Sequence, residues 1–140
     1  MQKCTPISLH ICCIIITWSW AKIHYFGGDD AGFPIKELKL FGSERSAGTK
    51  VKTKFGEITI EDFKLEEAQK LDVVFVSVSG DFSLEFCEKM TEKGCVVIDN
   101  SSAFRMKEGF SLCVPEINAD AARKSGKKVI PCGKQRTVCF

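Results

Sequence analysis

No run of apolar residues reaches the roughly 20 that a membrane-crossing helix needs. The longest candidate, Ile7 to Trp20 (ISLHICCIIITWSW), carries His10 inside it. No Cys-x-x-Cys pair occurs, and the two histidines, His10 and His24, have no ligand-spaced partners. That argues against a structural zinc site. No basic block stands apart either. Twenty Lys and Arg are spread among 18 Asp and Glu, for a net charge of +2, which gives no sign of a nucleic-acid partner or a charged membrane surface.

What remains is ordinary globular material. The 140 residues are 44% apolar and 27% charged, enough for one domain with a core. Eight cysteines are many, and a secreted disulfide framework is one explanation. Their distribution speaks against it. Cys4, Cys12, Cys13, Cys132 and Cys139 lie towards the two ends. Cys87, Cys95 and Cys113 fall at apolar-patterned positions, where they read as small buried hydrophobes.

The strongest strand signal is Leu71 to Val78, LDVVFVSV. Its continuous β-branched and aromatic residues suit a central parallel strand buried on both faces. It ends in Ser77-Val78-Ser79-Gly80-Asp81, where Gly80 permits a tight turn and Asp81 is placed to cap the next helix. That helix is expected over 82–93, with Phe82, Phe86, Met90 and Cys87 as its apolar stripe and Gly94 as its end. A strand over 95–98 follows. Upstream, a short strand over 38–41 runs into Gly42 to Gly48, an antiparallel pair over 50–60 turns near Phe55-Gly56, and 64–70 reads as a short exposed helix. Downstream, a strand over 111–115 is stopped by Pro115. Asn118 suits the N-cap of a helix over 119–125 closed by Gly126, and a last strand starts at Lys127.

The chemistry concentrates in residues 96–106, VVIDNSSAFRM. Three apolar residues run into Asp99, Asn100, Ser101, Ser102 and Arg105. In open α/β sheets, ligands bind outside the carboxyl ends of the strands. The cluster offers a carboxyl, an amide, two hydroxyls and a guanidinium able to grip an oxyanion through two N–H groups. A strand followed by a polar turn is the plain structural alternative.

This stretch resembles the segment that ends a nucleotide-domain strand in aspartate-semialdehyde dehydrogenases. LKLFGSERSAG at 38–48 and VPEIN at 114–118 resemble the same family, in the same order. The resemblance covers roughly residues 33–130. It implies a Rossmann-like α/β fold, a mostly parallel sheet with flanking helices. Residues 34–130 would form a partial dinucleotide-binding domain between an unmatched apolar segment, 1–33, and an unmatched tail, 131–140. It also implies NADP as cofactor, with Ser43, Arg45 and Ser46 at the adenosine ribose. Arg with hydroxyls suits a 2′-phosphate, and Glu44 is an awkward neighbour for one. A Gly/Ser turn with a solvated Arg is the alternative there. By the same resemblance Ser77, Ser79 and Gly80 pass beside the cofactor, Asn100 and Ser101 line the cofactor and substrate crevice, and Arg105 holds the phosphoryl oxygens of an acyl phosphate. Asp99 would only orient the turn backbone.

The family reaction so implied is NADPH-dependent reductive dephosphorylation of aspartyl phosphate to its semialdehyde, through a thioester on a cysteine, in amino-acid biosynthesis. Family members form homo-oligomers and work in the cytoplasm or plastid. The sequence departs from the family at both ends. A glycine-rich G-x-T-G-x-x-G turn is absent. Gly27, Gly28 and Gly32 sit in GGDDAG, which reads as a loop, so the first βα unit is expected to be missing. In place of an Asn-Pro-Asn-Cys turn the chain reads Pro131-Cys132-Gly133. The nucleophile position falls near Gln135, which leaves Cys132 a poor substitute and no convincing catalytic residue.

Three functional readings follow: an aspartate-semialdehyde dehydrogenase fragment inactive alone, a non-catalytic nucleotide-binding or interaction module, and a neighbour of the N-acetyl-glutamyl-phosphate reductases. Residues 7–20 are open between a signal or anchor, a buried strand or helix, and sequence foreign to the fold. Without the first strand, poor solubility is expected unless residues 9–18 take its place.

Overall fold

A computed structural model describes residues 9–15, 35–53 and 56–132. Seven strands and three helices are described, in the order β1 (Leu9–Ile15), β2 (Ile35–Gly42), β3 (Lys50–Thr53), β4 (Gly56–Asp62), α1 (Leu65–Ala68), β5 (Val73–Ser77), α2 (Gly80–Thr91), β6 (Val96–Asp99), α3 (Pro115–Ser125) and β7 (Val129–Pro131). The strands form one sheet in the order β3-β4-β2-β1-β5-β6-β7. Every pairing is parallel except that of β3 with β4. This is the mostly parallel α/β sheet with flanking helices expected of a Rossmann-like domain.

The central position belongs to β1. Cys12 lies opposite Lys39 on one side and Val74 on the other, and Cys13 lies opposite Leu40 and Phe75. The expectation of a missing first βα unit therefore fails for its strand. The apolar run LHICCII supplies seven residues of central strand, the buried-strand reading of this segment. The GGDDAG stretch that would follow it lies outside the described residues.

The long apolar run at 73–77 is buried on one face and half-buried on the other. Val74 and Val76 face one core with Phe41, Cys87, Met90, Val97 and Phe104. Val73 and Phe75 pack on the other side with Leu38, Leu40 and Ile60. Of α2, the innermost line is Ser83, Cys87 and Met90. That line keeps Cys87 and Met90 of the expected stripe and adds Ser83, while Phe82 and Phe86 are only partly buried against the same core. These two rings flank it and meet the edge of Phe63, at centroid distances of 5.0 and 5.2 Å. Gly94, at φ +105°, and Gly126, at φ +65°, take the left-handed backbone that follows α2 and α3.

Three local expectations are corrected. Ser79, not Asp81, caps α2, its Oγ accepting from Phe82 N–H at 3.5 Å. Residues 111–115 form no strand. They make one isolated parallel bridge, Cys113 to Cys132, in which Cys113 N–H donates to Pro131 O at 2.8 Å. The helix expected from residue 119 is present, but it is joined across non-helical Asn118, at φ −140° and ψ 33°, to a helical turn that begins at Pro115, and Asn118 does not cap it. Its amide reaches backwards, accepting from Val114 N–H at 2.7 Å and donating to Leu112 O at 2.8 Å. Among the described residues no helix is long and apolar enough to cross a membrane.

Candidate cofactor site

Parallel pairing puts the carboxyl ends of β2, β1, β5, β6 and β7 on one edge of the sheet. Every site residue expected from the sequence sits there. Ser43, Arg45 and Ser46 follow β2, Ser77, Ser79 and Gly80 span the turn from β5 into α2, and Asn100, Ser101 and Arg105 follow β6. Cys132 follows β7. At about 4.8 Å per strand the line from β2 to β7 spans roughly 19 Å. Direction of chain growth reverses across β1, so the site straddles the topological switch point, where such sheets hold ligands.

At the β2 end, Ser43 O accepts from Ser46 N–H at 2.8 Å and from Ala47 N–H at 3.0 Å, closing a tight turn. Glu44 and Arg45 stand exposed on it. At the β5 end, Gly80 opens α2 with ordinary helical backbone, so its tight-turn role is not needed. A Cβ there would meet only Ala103 Cβ, at 3.8 Å. Neither backbone nor packing within the described protein requires a glycine.

At the β6 end a hydrogen-bonded turn is built on Asp99. Strand alternation buries Val97 and Asp99 on the α2 side. Asp99 is fully buried and accepts three hydrogen bonds: from Ser83 Oγ at 3.1 Å, Ser101 N–H at 2.9 Å and Ser101 Oγ at 2.7 Å. Its own carbonyl accepts from Cys132 N–H at 2.8 Å. Ser101 Oγ also accepts from Ala103 N–H at 3.2 Å. The Ser101 hydroxyl is thus used inside the turn and supports the crevice from below, while the Asn100 side chain is left half-exposed. Arg105 Nη2 donates to Asn100 O at 3.1 Å. Arg105 Nε is buried with no hydrogen-bond partner among the described residues.

Cys132 is half-buried, and its thiol is pushed up to about 11. Burial is the main cause, followed by Cys113 and Asp99, with Arg105 opposing. A nucleophilic cysteine needs the opposite shift. Among the described residues no group of three or more His, Cys, Asp or Glu side chains could hold a metal ion.

Sequence reading missed Ser83 and the reach of Asp99. The signal for Asp99 was available, since alternation along VVID places its side chain with Val97 on the buried face. Ser83 shares a helical line with Cys87 and Met90, but the apolar stripe drawn through Phe82 concealed it.

Residues 29–125 match the family model described as semialdehyde dehydrogenase, NAD binding domain. The chain belongs to the semialdehyde dehydrogenase family. It is 38% identical over 99 residues to an aspartate-semialdehyde dehydrogenase of Bacillus subtilis, covering 70% of this chain and 29% of that protein. It is 40% identical over 101 residues to the enzyme of Streptomyces akiyoshiensis, covering 72% and 29%. The crystal structure of aspartate semialdehyde dehydrogenase II complexed with ASA, from Vibrio cholerae, superposes with a TM-score of 0.78 at 24% identity, over 94% of this chain and 43% of that one. At that identity the likeness shows the fold. The chain spans about 29% of the length of these curated relatives. In semialdehyde dehydrogenase terms, it corresponds to the NAD(P)-binding part.

Proposed function

We propose that this chain is the NADP-binding part of an aspartate-semialdehyde dehydrogenase and does not turn over substrate alone. The observation that carries this is the convergence of three clusters, Ser43–Ser46, Ser77–Gly80 and Asn100–Arg105, on the carboxyl edge of one parallel sheet astride its switch point.

The residues present fit the cofactor at two places. Exposed Arg45, between two serines on a tight turn, suits a 2′-phosphate at the β2 end. Gly80, which the protein itself does not require, leaves room for close approach of a ligand at the start of α2. When bound, NADPH supplies the hydride of the family reaction. The chain's own residues do the holding. Arg45 selects the phosphorylated ribose, Gly80 and the Ser79-capped start of α2 admit the dinucleotide, and Asn100 flanks the reacting end. Arg105 takes the phosphoryl oxygens of the acyl phosphate, a task suited to a planar cation that keeps its proton.

Turnover needs a thiolate, and burial pushes the Cys132 thiol up to about 11, which disfavours one there. The test is a fluorescence titration of the 140-residue chain with NADPH and NADH. Saturable binding is expected, with NADPH preferred and the preference lost in Arg45→Ala. An exposed Arg–phosphate contact supports a difference of about tenfold. Equal affinity for both nucleotides, or no saturation, would overturn the assignment.

A further inference from the structure

Asp99 is a fully buried carboxyl group that the proposed chemistry does not use. Burying such a group without donors is costly, and here three are supplied. Two come from Ser101, within the turn, and the third from Ser83, 16 residues earlier on α2. The network ends on Arg105. Asn100 N–H donates to Val76 O at 2.8 Å, which fixes the first turn residue to β5. Asn100 O in turn receives Arg105 Nη2 at 3.1 Å. The acceptor that holds the guanidinium among the described residues is therefore a backbone carbonyl flanked by the bond to Val76 and the Asp99–Ser101 pair. On the same edge of the guanidinium as Nη2, the Nε–H is buried and has no hydrogen-bond partner among the described residues. A buried donor without a partner is costly and marks a direction in which an acceptor is missing.

We infer that Asp99, anchored to α2 by Ser83, is a positioning residue that aims the unpartnered Nε–H of Arg105 at an anionic phosphoryl group. This rests on the reading of Arg105 as the phosphoryl-holding residue. It adds a specific dependence: α2 and the arginine are linked through one carboxyl group, so the serine on the helix affects anion binding without touching the anion.

The test uses the whole 140-residue chain and inorganic phosphate as probe. The Arg105 Nε–H resonance, assigned by its absence in Arg105→Lys, is followed during titration. Adenosine 2′,5′-bisphosphate, which probes the β2 end, reports whether that part of the fold is intact. In the parent chain the resonance shifts saturably. In Asp99→Asn the phosphate affinity falls about tenfold, and in Ser83→Ala about threefold, with bisphosphate affinity unchanged. A merely structural role would weaken both ligands together. An Asp99→Asn chain that binds phosphate as the parent does overturns the positioning role alone. A parent resonance that ignores phosphate overturns the reading of Arg105 and this inference with it. Should Asp99→Asn lose bisphosphate binding as well, Ser83→Ala decides by the same two readouts.

Discussion

At the scale of single residues, Cys132 is poorly suited to act as a nucleophile. Cys132 sits at the carboxyl edge, yet burial and the neighbouring Cys113 and Asp99 raise its thiol from the ordinary 9.0 to about 11. Two units cost a hundredfold in thiolate at neutral pH, of which higher nucleophilicity returns about tenfold. Alkylation of Cys132 by iodoacetamide at pH 7.5, read by peptide mass spectrometry, is therefore expected to run about tenfold slower than that of an unperturbed thiol. The rate should keep rising to pH 11. A rate equal to that of a free thiol would show Cys132 to be activated after all. The place of Arg105 and Asn100 at the carboxyl edge was legible because they follow a strand that reads as apolar from composition. The Ser83–Asp99 hydrogen bond was not, because it joins residues 16 apart whose meeting depends on how α2 lies across β6.

Among elements, β5 and β1 make an instructive contrast. Val73–Ser77 could be read as a buried strand from composition alone, because one of its faces is buried, the other half-buried, and every residue up to Ser77 is apolar. Leu9–Ile15 is equally central, but His10 and the paired Cys12 and Cys13 dilute the β signal, and no strand–turn–helix pattern follows it. Its role lies in its pairing on both sides. Cys13→Pro removes an N–H in the middle of that doubly paired strand. The expected outcome is an insoluble chain or one without cooperative unfolding. A soluble, cooperatively melting Cys13→Pro would show that β1 is dispensable. Residues 111–115 erred the other way. SLCVP has the composition of a strand but contributes one bridge, since Asn118 ties Val114 and Leu112 into the start of α3.

For the molecule as a whole, buried thiols make stability depend on alkaline pH. Cys87 is raised to about 12, chiefly by burial and then by Asp99, and Cys95 to about 11. Below about pH 9 both folded and unfolded chains keep these protons. Above it the unfolded chain loses them while the folded chain holds on, so stability falls between pH 9 and 12. Cys87, fully buried, accounts for a loss on the order of 4 kcal/mol across that window. Cys87→Ala should start less stable at pH 8 and lose less by pH 10.5, as read by urea unfolding. Parallel declines in the two proteins would remove Cys87 from the account.

The strand order has a further consequence, in time. Among the described strands, the first to leave the ribosome is the one that belongs in the middle, and its second neighbour ends only at Ser77. At cellular synthesis rates of 5–20 residues per second, LHICCII waits roughly 3 to 12 s for β5. During that interval it offers a bare apolar edge to any other nascent chain. Chains halted before Ser77 has emerged are expected to be protease-sensitive, and protection should first appear once β5 can close over β1.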